Sequence, residues 1–346
     1  MPREFKSVLE DGPIEGEPLV SVCVITYNHG KYIRQCLDGI LMQKVNFPYE
    51  ILIHDDASPD DTADIIREYW EKYPTVIKPI LREENQYSKG VDVSRFNFNR
   101  AKAKYIAHCE GDDYWTDAGK LQMQVDFLEE HGEYIACVHR VNIINEIGEF
   151  CNHVVPSFSE IKEGLFNIDV YNTERSLAGH LSSLVMCNIY LTLDPKVLES
   201  YYLCKANGDE KLSLLLLLVG KQIWCFENVM SVYRRIVLYG TSYNAQIYGK
   251  NIYYDNYKKS KNLHVFAKTY FNEDISTLFC EKNLVFSIVA CIKQPNSINF
   301  RVTSKVFNTW LSDFLDAPIK HICFIFRAIR SPQHFLLLFR EFVRLI

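Results

Sequence analysis

A chain of 346 residues with 48% apolar and 23% charged side chains has the composition of a globular protein, not of a disordered one. A chain of that length buries about three quarters of its unfolded surface and needs no disulfide or metal staple to fold; at roughly 150 residues per domain it allows one large domain and a smaller one. The formal net charge of −5, from 38 basic and 43 acidic side chains, argues against a general nucleic-acid binder, which needs a basic face.

Eleven cysteines are an odd number, scattered without a CxxC pair or zinc-type Cys/His spacing. Cys23, Cys109, Cys137 and Cys225 sit in apolar runs, as buried thiols do, which points to a reducing compartment. The first 17 residues form a polar, acidic tail with no apolar h-region. No stretch reaches the roughly 18 apolar residues of a spanning helix; the longest, 214–219, is closed by Gly220 and Lys221. A cytoplasmic chain, at most attached to the inner face of a membrane, is expected.

After the tail, residues 19–26 (LVSVCVIT) read as a buried strand, apolar and rich in β-branched residues. Asn28, His29 and Gly30 break it. Residues 31–43 place Ile33, Cys36, Leu37, Ile40 and Leu41 at helical spacing. A second buried strand, 49–54 (YEILIH), runs into 55–62 (DDASPDDT), where Ser58 reads as an N-cap with Pro59 at the first helical position. The next helix carries Ala63, Ile66, Tyr69, Trp70 and Tyr73. This βαβα alternation predicts a parallel sheet with right-handed crossovers, extended by strands at 77–82 and 105–109. The segment between those two is polar and rich in Asn, Arg and Lys. The fourth strand ends in 110–115 (EGDDYW); Thr116 reads as the cap of a helix that stops at Gly132. Another strand is expected at 137–144, with a turn at 145–148.

From 150 to about 188 the pattern weakens, as loops and short strands over a site would make it. Residues 207–210 (NGDE) open a strongly apolar helix, 222–235 return to strand character, and from about 243 the chain reads as helical. The expected organisation is therefore the tail, 1–17; an α/β domain, 18–245; and a helical region, 246–346.

Carboxylates at the carboxyl ends of buried parallel strands lie where open α/β sheets bind ligands. Glu110, Asp112 and Asp113 crowd one such end, and Mg²⁺ or Mn²⁺ suits such a set of hard oxygens; a polar loop whose acids cap the next helix is the plainer alternative. At the second strand end, Asp55 or Asp56 can accept a hydrogen bond from a base N–H or a ribose hydroxyl, whereas capping accounts for Ser58 and Asp61. Two acid clusters on successive strands favour a nucleotide site over either alone.

The series 24–28 (VITYN), then DDASPDDT, then EGDDYW before a helix, resembles the family 2 glycosyltransferases with the GT-A fold, over residues 18–242. The resemblance implies a Rossmann-like, mixed but mostly parallel sheet flanked by helices. It implies inverting transfer of a sugar from a UDP-, GDP- or dTDP-linked donor to a hydroxyl of a saccharide or lipid-linked acceptor, in cell-surface polysaccharide or lipopolysaccharide synthesis. Thr26, Tyr27 and Asp55 are implied as nucleoside contacts, with Asn28, Asp56, Arg100 and Gly111 beside them. The family's Asp-x-Asp motif reads Glu110-Gly111-Asp112 here, followed by Asp113. Asp112 is implied as the ligand of Mn²⁺ or Mg²⁺; Glu110 and Asp113 are left between ribose and metal contacts.

Inverting members carry a carboxylate late in the domain, at a helix start, that deprotonates the acceptor. Asp209 matches it. By residues alone Asp209 is equally a first-turn acid favoured by the helix dipole, next to a capping box of Asn207 and Glu210. A helix N-terminus is expected to lower its pKa. Tyr233-Arg234-Arg235 resembles the family's Tyr-Arg segment over the diphosphate, although the His that often follows is replaced by Ile236 and Val237. His180 and Trp115 fall on the acceptor side by the same resemblance; histidines in such settings are usually hydrogen-bonded packing residues, and none is assigned as a ligand.

At the C-terminus, residues 335–346 are apolar with interspersed Arg, and from 318 onward Lys320, Arg327, Arg330, Arg340 and Arg344 face the single acid Glu341. That is the composition of an interfacial helix at anionic lipid, and equally of a helix packed on the domain or on a second subunit. Three other functions fit less well. A sugar nucleotidyltransferase needs a Gly-rich loop after the first strand; a non-catalytic binding module would have lost the acids; a dinucleotide-dependent oxidoreductase needs GxGxxG.

Overall fold

The computed structural model describes residues 5–156, 164–174, 178–220, 222–236, 251–275 and 278–316. After a single-turn helix α1 (Val8–Asp11), the chain alternates β1 (Val20–Thr26), α2 (Ile33–Leu41), β2 (Tyr49–Asp55), α3 (Thr62–Lys72) and β3 (Ile77–Leu81). A short α4 (Ser94–Phe98) precedes β4 (Tyr105–Glu110), β5 (Tyr114–Trp115), α5 (Lys120–Glu130) and β6 (Tyr134–Ile144). Then come β7 (Phe150–Val155), β8 (Gly164–Phe166), α6 (Ile168–Glu174), β9 (Val185–Cys187), α7 (Pro195–Leu203), α8 (Gly208–Leu218) and β10 (Gln222–Arg234). Three helices follow: α9 (Tyr253–Phe271), α10 (Leu278–Lys293) and α11 (Ser297–Asp316).

The ten strands form one sheet in the order β3-β2-β1-β4-β9-β6-β10-β5, with β7 on β6 and β8 on β10. The long ladders, β1 with β2 and β4, β2 with β3, and β6 with β10, are parallel; β9 inserts antiparallel between β4 and β6. The side-chain period of two splits each strand between two cores. Val20, Val22 and Val24 face the cluster built on α2, α3 and α5, whereas Cys23 joins the cluster under α7 and α8. Tyr105, Ala107 and Cys109 divide from Ile106 in the same way. Leu263, Phe266 and Ala267 of α9 enter the second of these cores, so the helical region begins by packing on the α/β layers. Gly39 brings α2 close: a Cβ there would lie 2.7 Å from the Trp115 carbonyl oxygen.

Three local expectations are corrected. Ser58 is not the N-cap of α3; that position is Asp61, which makes no side-chain capping bond, and Asp60 instead accepts from the Thr62 N–H at 3.2 Å. Thr116 caps nothing. The chain first pairs β5 with β10, the Thr116 N–H bonds the Met230 carbonyl at 2.9 Å, and α5 starts only after Gly119. The Asn207 cap side chain makes no capping bond to α8, because its Oδ1 accepts from Lys259 Nζ of α9 at 2.7 Å. Each correction has one cause: a long-range partner outcompetes the local one, which propensity cannot see. The expected basic stretch from 318 and apolar segment 335–346 lie outside the described residues. Cys23, Cys36, Cys109, Cys137 and Cys225 are buried thiols outside any disulfide.

Candidate active site at the strand ends

Pairing sets the geometry. Thr26 stands opposite Asp55 and Ile25 opposite Glu110, so the two acid clusters flank the end of β1 on adjacent strands, each about 4.8 Å away. The loop after β1 hangs on the DDASPDDT segment through three successive backbone donors. The Asn28 N–H reaches Ser58 Oγ at 2.9 Å, the His29 N–H reaches Thr62 Oγ1 at 2.9 Å, and the Gly30 N–H reaches Asp60 Oδ2 at 2.8 Å. Asn28 pays for this with a left-handed φ of 60°. The motif is thus largely a latch that fixes the floor of the cleft.

Asp55 is buried and accepts from the Ser58 hydroxyl and N–H. Burial raises its pKa against those hydrogen bonds. Asp56 is also buried, and its carboxylate accepts the Gln86 and Tyr87 N–H groups at 2.9 Å each. It therefore shapes the 85–87 loop, with its acceptor capacity turned toward protein. Arg100, expected at the donor, donates instead to the Ile53 carbonyl at 2.8 Å and to Asn97 Oδ1 at 2.9 Å. Asn97 in turn donates to the Val24 carbonyl at 2.9 Å. Both residues brace strand backbone. Tyr27 is half-buried at the cleft, and the buried Thr26 Oγ1 has no hydrogen-bond partner among the described residues.

The loop from β4 to β5 carries the acids across to β10. The Gly111 N–H bonds the Ile25 carbonyl at 2.9 Å, and only glycine fits, since a Cβ would sit 2.6 Å from Thr26 Oγ1. Asp112 lies beside the β1 loop, its Oδ2 3.8 Å from His29 Nε2. Asp113 points inward and accepts the Arg234 N–H on Oδ1 at 3.0 Å; its Oδ2 has no hydrogen-bond partner. Arg234 clamps this loop from behind: Nε donates to the Asp112 carbonyl at 3.2 Å, Nη2 to Gln35 Oε1 at 3.1 Å, and the guanidinium lies 4.4 Å from the Tyr32 ring centroid. Arg235 is exposed. Trp115, expected on the acceptor side, is in the core, where its indole N–H bonds the Ser182 carbonyl at 2.9 Å. That bond holds the 181–184 segment and leaves no face for an acceptor. His180 stacks on Tyr233, with centroids 4.1 Å apart.

Asp209, in the first turn of α8, accepts the Glu210 N–H at 2.8 Å. Its pKa is raised, not lowered: burial outweighs the helix-end N–H and the Lys259 charge. Asp209 also belongs electrically to the acid cluster. Burial, then Asp112, then Asp209 push the Glu110 carboxyl up to about 8, and Asp113 is driven upward by burial, Asp112 and Glu110. Glu110, Asp112 and Asp113 thus share the end of β4 and the following loop, and Asp209 of α8 adds its charge to the field at Glu110. An orphaned buried carboxylate oxygen among hard donors fits a divalent cation.

The sequence reading missed two lysines that hold the α8 end in place. Lys211 is buried, donates to Asp92 Oδ2 at 2.5 Å and lies 4.5 Å from the Tyr201 ring centroid, tying the 86–99 loop to the helix of Asp209. Lys259 holds Asn207 from α9. A single lysine inside a leucine-rich run was the only sequence signal for Lys211.

Residues 21–186 match the model of glycosyl transferase family 2. An uncharacterized protein of Mycobacterium tuberculosis is 45% identical over 131 residues, 37% of each chain; this chain thus spans little more than a third of the length of that relative. The hyaluronan synthase of Pasteurella multocida is 33% identical over 135 residues, 39% of this chain and 13% of the synthase. In fold, the chain resembles S. aureus TarS in complex with UDP-GlcNAc, with a TM-score of 0.54 and 18% identity over 79% of this chain and 72% of that one.

Proposed function

From the match of residues 21–186 to the model of glycosyl transferase family 2, we propose that the chain is an inverting glycosyltransferase. It moves a sugar from a nucleotide-diphospho-sugar to a hydroxyl of a saccharide or lipid-linked acceptor in cell-surface polysaccharide synthesis. The observation that carries this reading is the placement of two acid clusters at adjacent strand ends, with Asp55 opposite Thr26 and Glu110, which leads into Asp112 and Asp113, opposite Ile25. The printed names of relatives support the substrate class: a hyaluronan synthase, and a fold neighbour solved with UDP-GlcNAc.

In this reading Thr26, Tyr27 and Asp55 receive the nucleoside at the end of β1 and β2. Asp209 takes the proton of the acceptor hydroxyl while the hydroxyl oxygen bonds the anomeric carbon on the face opposite the leaving group. The bond from that carbon to the diphosphate oxygen breaks, and the nucleoside diphosphate departs with the electron pair, which inverts the centre. Mn²⁺ or Mg²⁺ at Asp112 would offset the charge developing on the diphosphate. Arg234 keeps the acidic loop in place through the Asp112 carbonyl, and Arg235 is the exposed cation available to phosphate.

A thermal-shift screen of UDP-, GDP- and dTDP-sugars, each with and without Mn²⁺, tests the reading. One nucleotide should stabilise the chain, by about 2.7 kcal/mol at a hundred times its Kd, and only with the ion present. No shift with any donor would refute it. A second check uses the raised Asp209 pKa. The base must be ionised, so the rate rises with pH through the folded pKa of Asp209, above the ordinary aspartate range. Lys259 opposes that rise and Glu110 faces the same cluster. Lys259→Met should therefore move the acid limb of the kcat profile to higher pH and slow the enzyme more at pH 6 than at pH 8. An unmoved limb would separate Lys259 from the base.

Peripheral membrane attachment forms part of the proposal. Among the described residues no helix is long and apolar enough to cross a membrane, yet Ile292, Ile298, Phe300 and Leu315 on α10 and α11 are each at least 67% exposed. The full chain should float with anionic vesicles and not with neutral ones; a chain that stays at the bottom of the gradient in both would sink the idea.

A further inference from the structure

One group in the cleft is left over by this account. A ring nitrogen of His180 and carboxylate oxygens of Glu110 and Asp113 all lie within 4.8 Å of one another. Asp113 is 1% exposed and its Oδ2 has no hydrogen-bond partner among the described residues; His180 Nδ1 stands 3.5 Å from that oxygen. Of the three groups only Asp113 Oδ2 is without a hydrogen-bond partner among the described residues, and a buried acceptor left unmatched costs about 1–3 kcal/mol. A cation there would satisfy that oxygen and take the neighbouring Glu110 oxygen and His180 nitrogen as further ligands.

The surroundings are arranged to present these atoms. The His180 ring is fixed by its stack on Tyr233, at an interplanar angle of 28°. Its Nδ1 lies 2.9 Å from Ser182 Oγ and 3.3 Å from the Ser182 N. The Ser182 hydroxyl also reaches Ser231 Oγ at 3.3 Å, so it keeps a partner when the nitrogen turns to a ligand. Asp113 is held on its other oxygen by the Arg234 N–H. Ligand atoms at about 2.1 Å from one ion stand at most about 4.2 Å apart, so small side-chain rotations close the set.

We propose that Glu110, Asp113 and His180 ligate the same divalent cation that Asp112 serves, with His180 as its nitrogen ligand, and that this mixed set selects Mn²⁺ over Mg²⁺. Magnesium takes oxygen ligands and gives up water reluctantly, whereas imidazole suits first-row transition ions. The inference deepens the reading of the same cleft as a sugar-transfer site and rests on it only for the role of the ion.

Electron paramagnetic resonance of the full chain with Mn²⁺ alone, and then with Mn²⁺ and UDP, tests the ligand set without measuring transfer. One bound Mn²⁺ should show ¹⁴N modulation from a coordinated imidazole. His180→Asn should remove the modulation and weaken Mn²⁺ at least about tenfold, in the range seen when a supporting metal contact is lost. His29→Asn, beside Asp112, should leave the modulation in place, which keeps the test decisive if His180→Asn does not fold. Mg²⁺ should displace the bound ion only in large excess. Bound Mn²⁺ without nitrogen modulation, modulation that survives His180→Asn, or no bound Mn²⁺ at all would overturn the inference. Each of those results leaves the sugar-transfer reading standing if transfer is measured independently, and a chain that binds Mn²⁺ through nitrogen yet accepts no nucleotide sugar would sink that reading alone.

Discussion

Asp209→Asn should reduce sugar transfer by about 10²–10⁴-fold, the usual contribution of a positioned general base, while leaving donor affinity unchanged. The amide is isosteric, and its oxygen can still accept the Glu210 N–H that the carboxylate holds at 2.8 Å, so the first turn of α8 has no reason to move. The substitution also removes one of the negative charges that push up the Glu110 carboxyl. Thermal stability should therefore hold or rise slightly, which makes loss of activity through unfolding easy to exclude. Calorimetry with the stabilising nucleotide sugar and initial rates with its acceptor separate binding from chemistry. Normal turnover in this variant would return Asp209 to the role of a first-turn acid in the field of the helix.

Asp112→Asn is expected to cost about 10³-fold in metal-dependent transfer, equivalent to the several kcal/mol that an ion contributes to a charged leaving group. Here the fold offers an unusually clean variant. What holds the loop is the Asp112 carbonyl, bound by Arg234 Nε at 3.2 Å, and the Gly111 N–H on the Ile25 carbonyl; the Asp112 side chain makes a 3.8 Å approach to His29 and its charge pushes Glu110 and Asp113 upward. Removing that charge should leave stability unchanged or slightly raised. Asp113, one residue on, contrasts with it, because its carboxylate bonds the Arg234 N–H from inside the core. A variant of Asp112 with unchanged turnover in Mn²⁺ would remove it from the metal contacts.

Much of this architecture could be read from the residues. The strands at 20–26, 49–55 and 105–110 announce themselves because both faces of a central parallel strand are buried, so the hydrophobic run is nearly continuous. The acids at their ends stand out against that run, and sheet geometry requires them to meet. Where the reading failed, a local pattern had been credited with a local role. Ser58 looks like a cap but serves the β1 loop; Asn207 looks like half of a capping box but bonds Lys259. Arg100 and Trp115 look available to ligand and are spent on the Ile53 and Ser182 carbonyls. Each of these side chains has its partner dozens of residues away.

The alternation of strands and helices along the chain, the two buried faces of the sheet and the placing of acids at strand ends were determined by the sequence alone, because hydrophobic periodicity is a property of short segments; the order of strands in the sheet was not. Which acid faces the cleft and which is turned into the core was decided only by the tertiary structure, and so were the upward shift of Asp209 and the approach of His180 to Asp113. Burial and long-range hydrogen bonding fix these, since the desolvation of a carboxylate depends on what the rest of the chain packs around it.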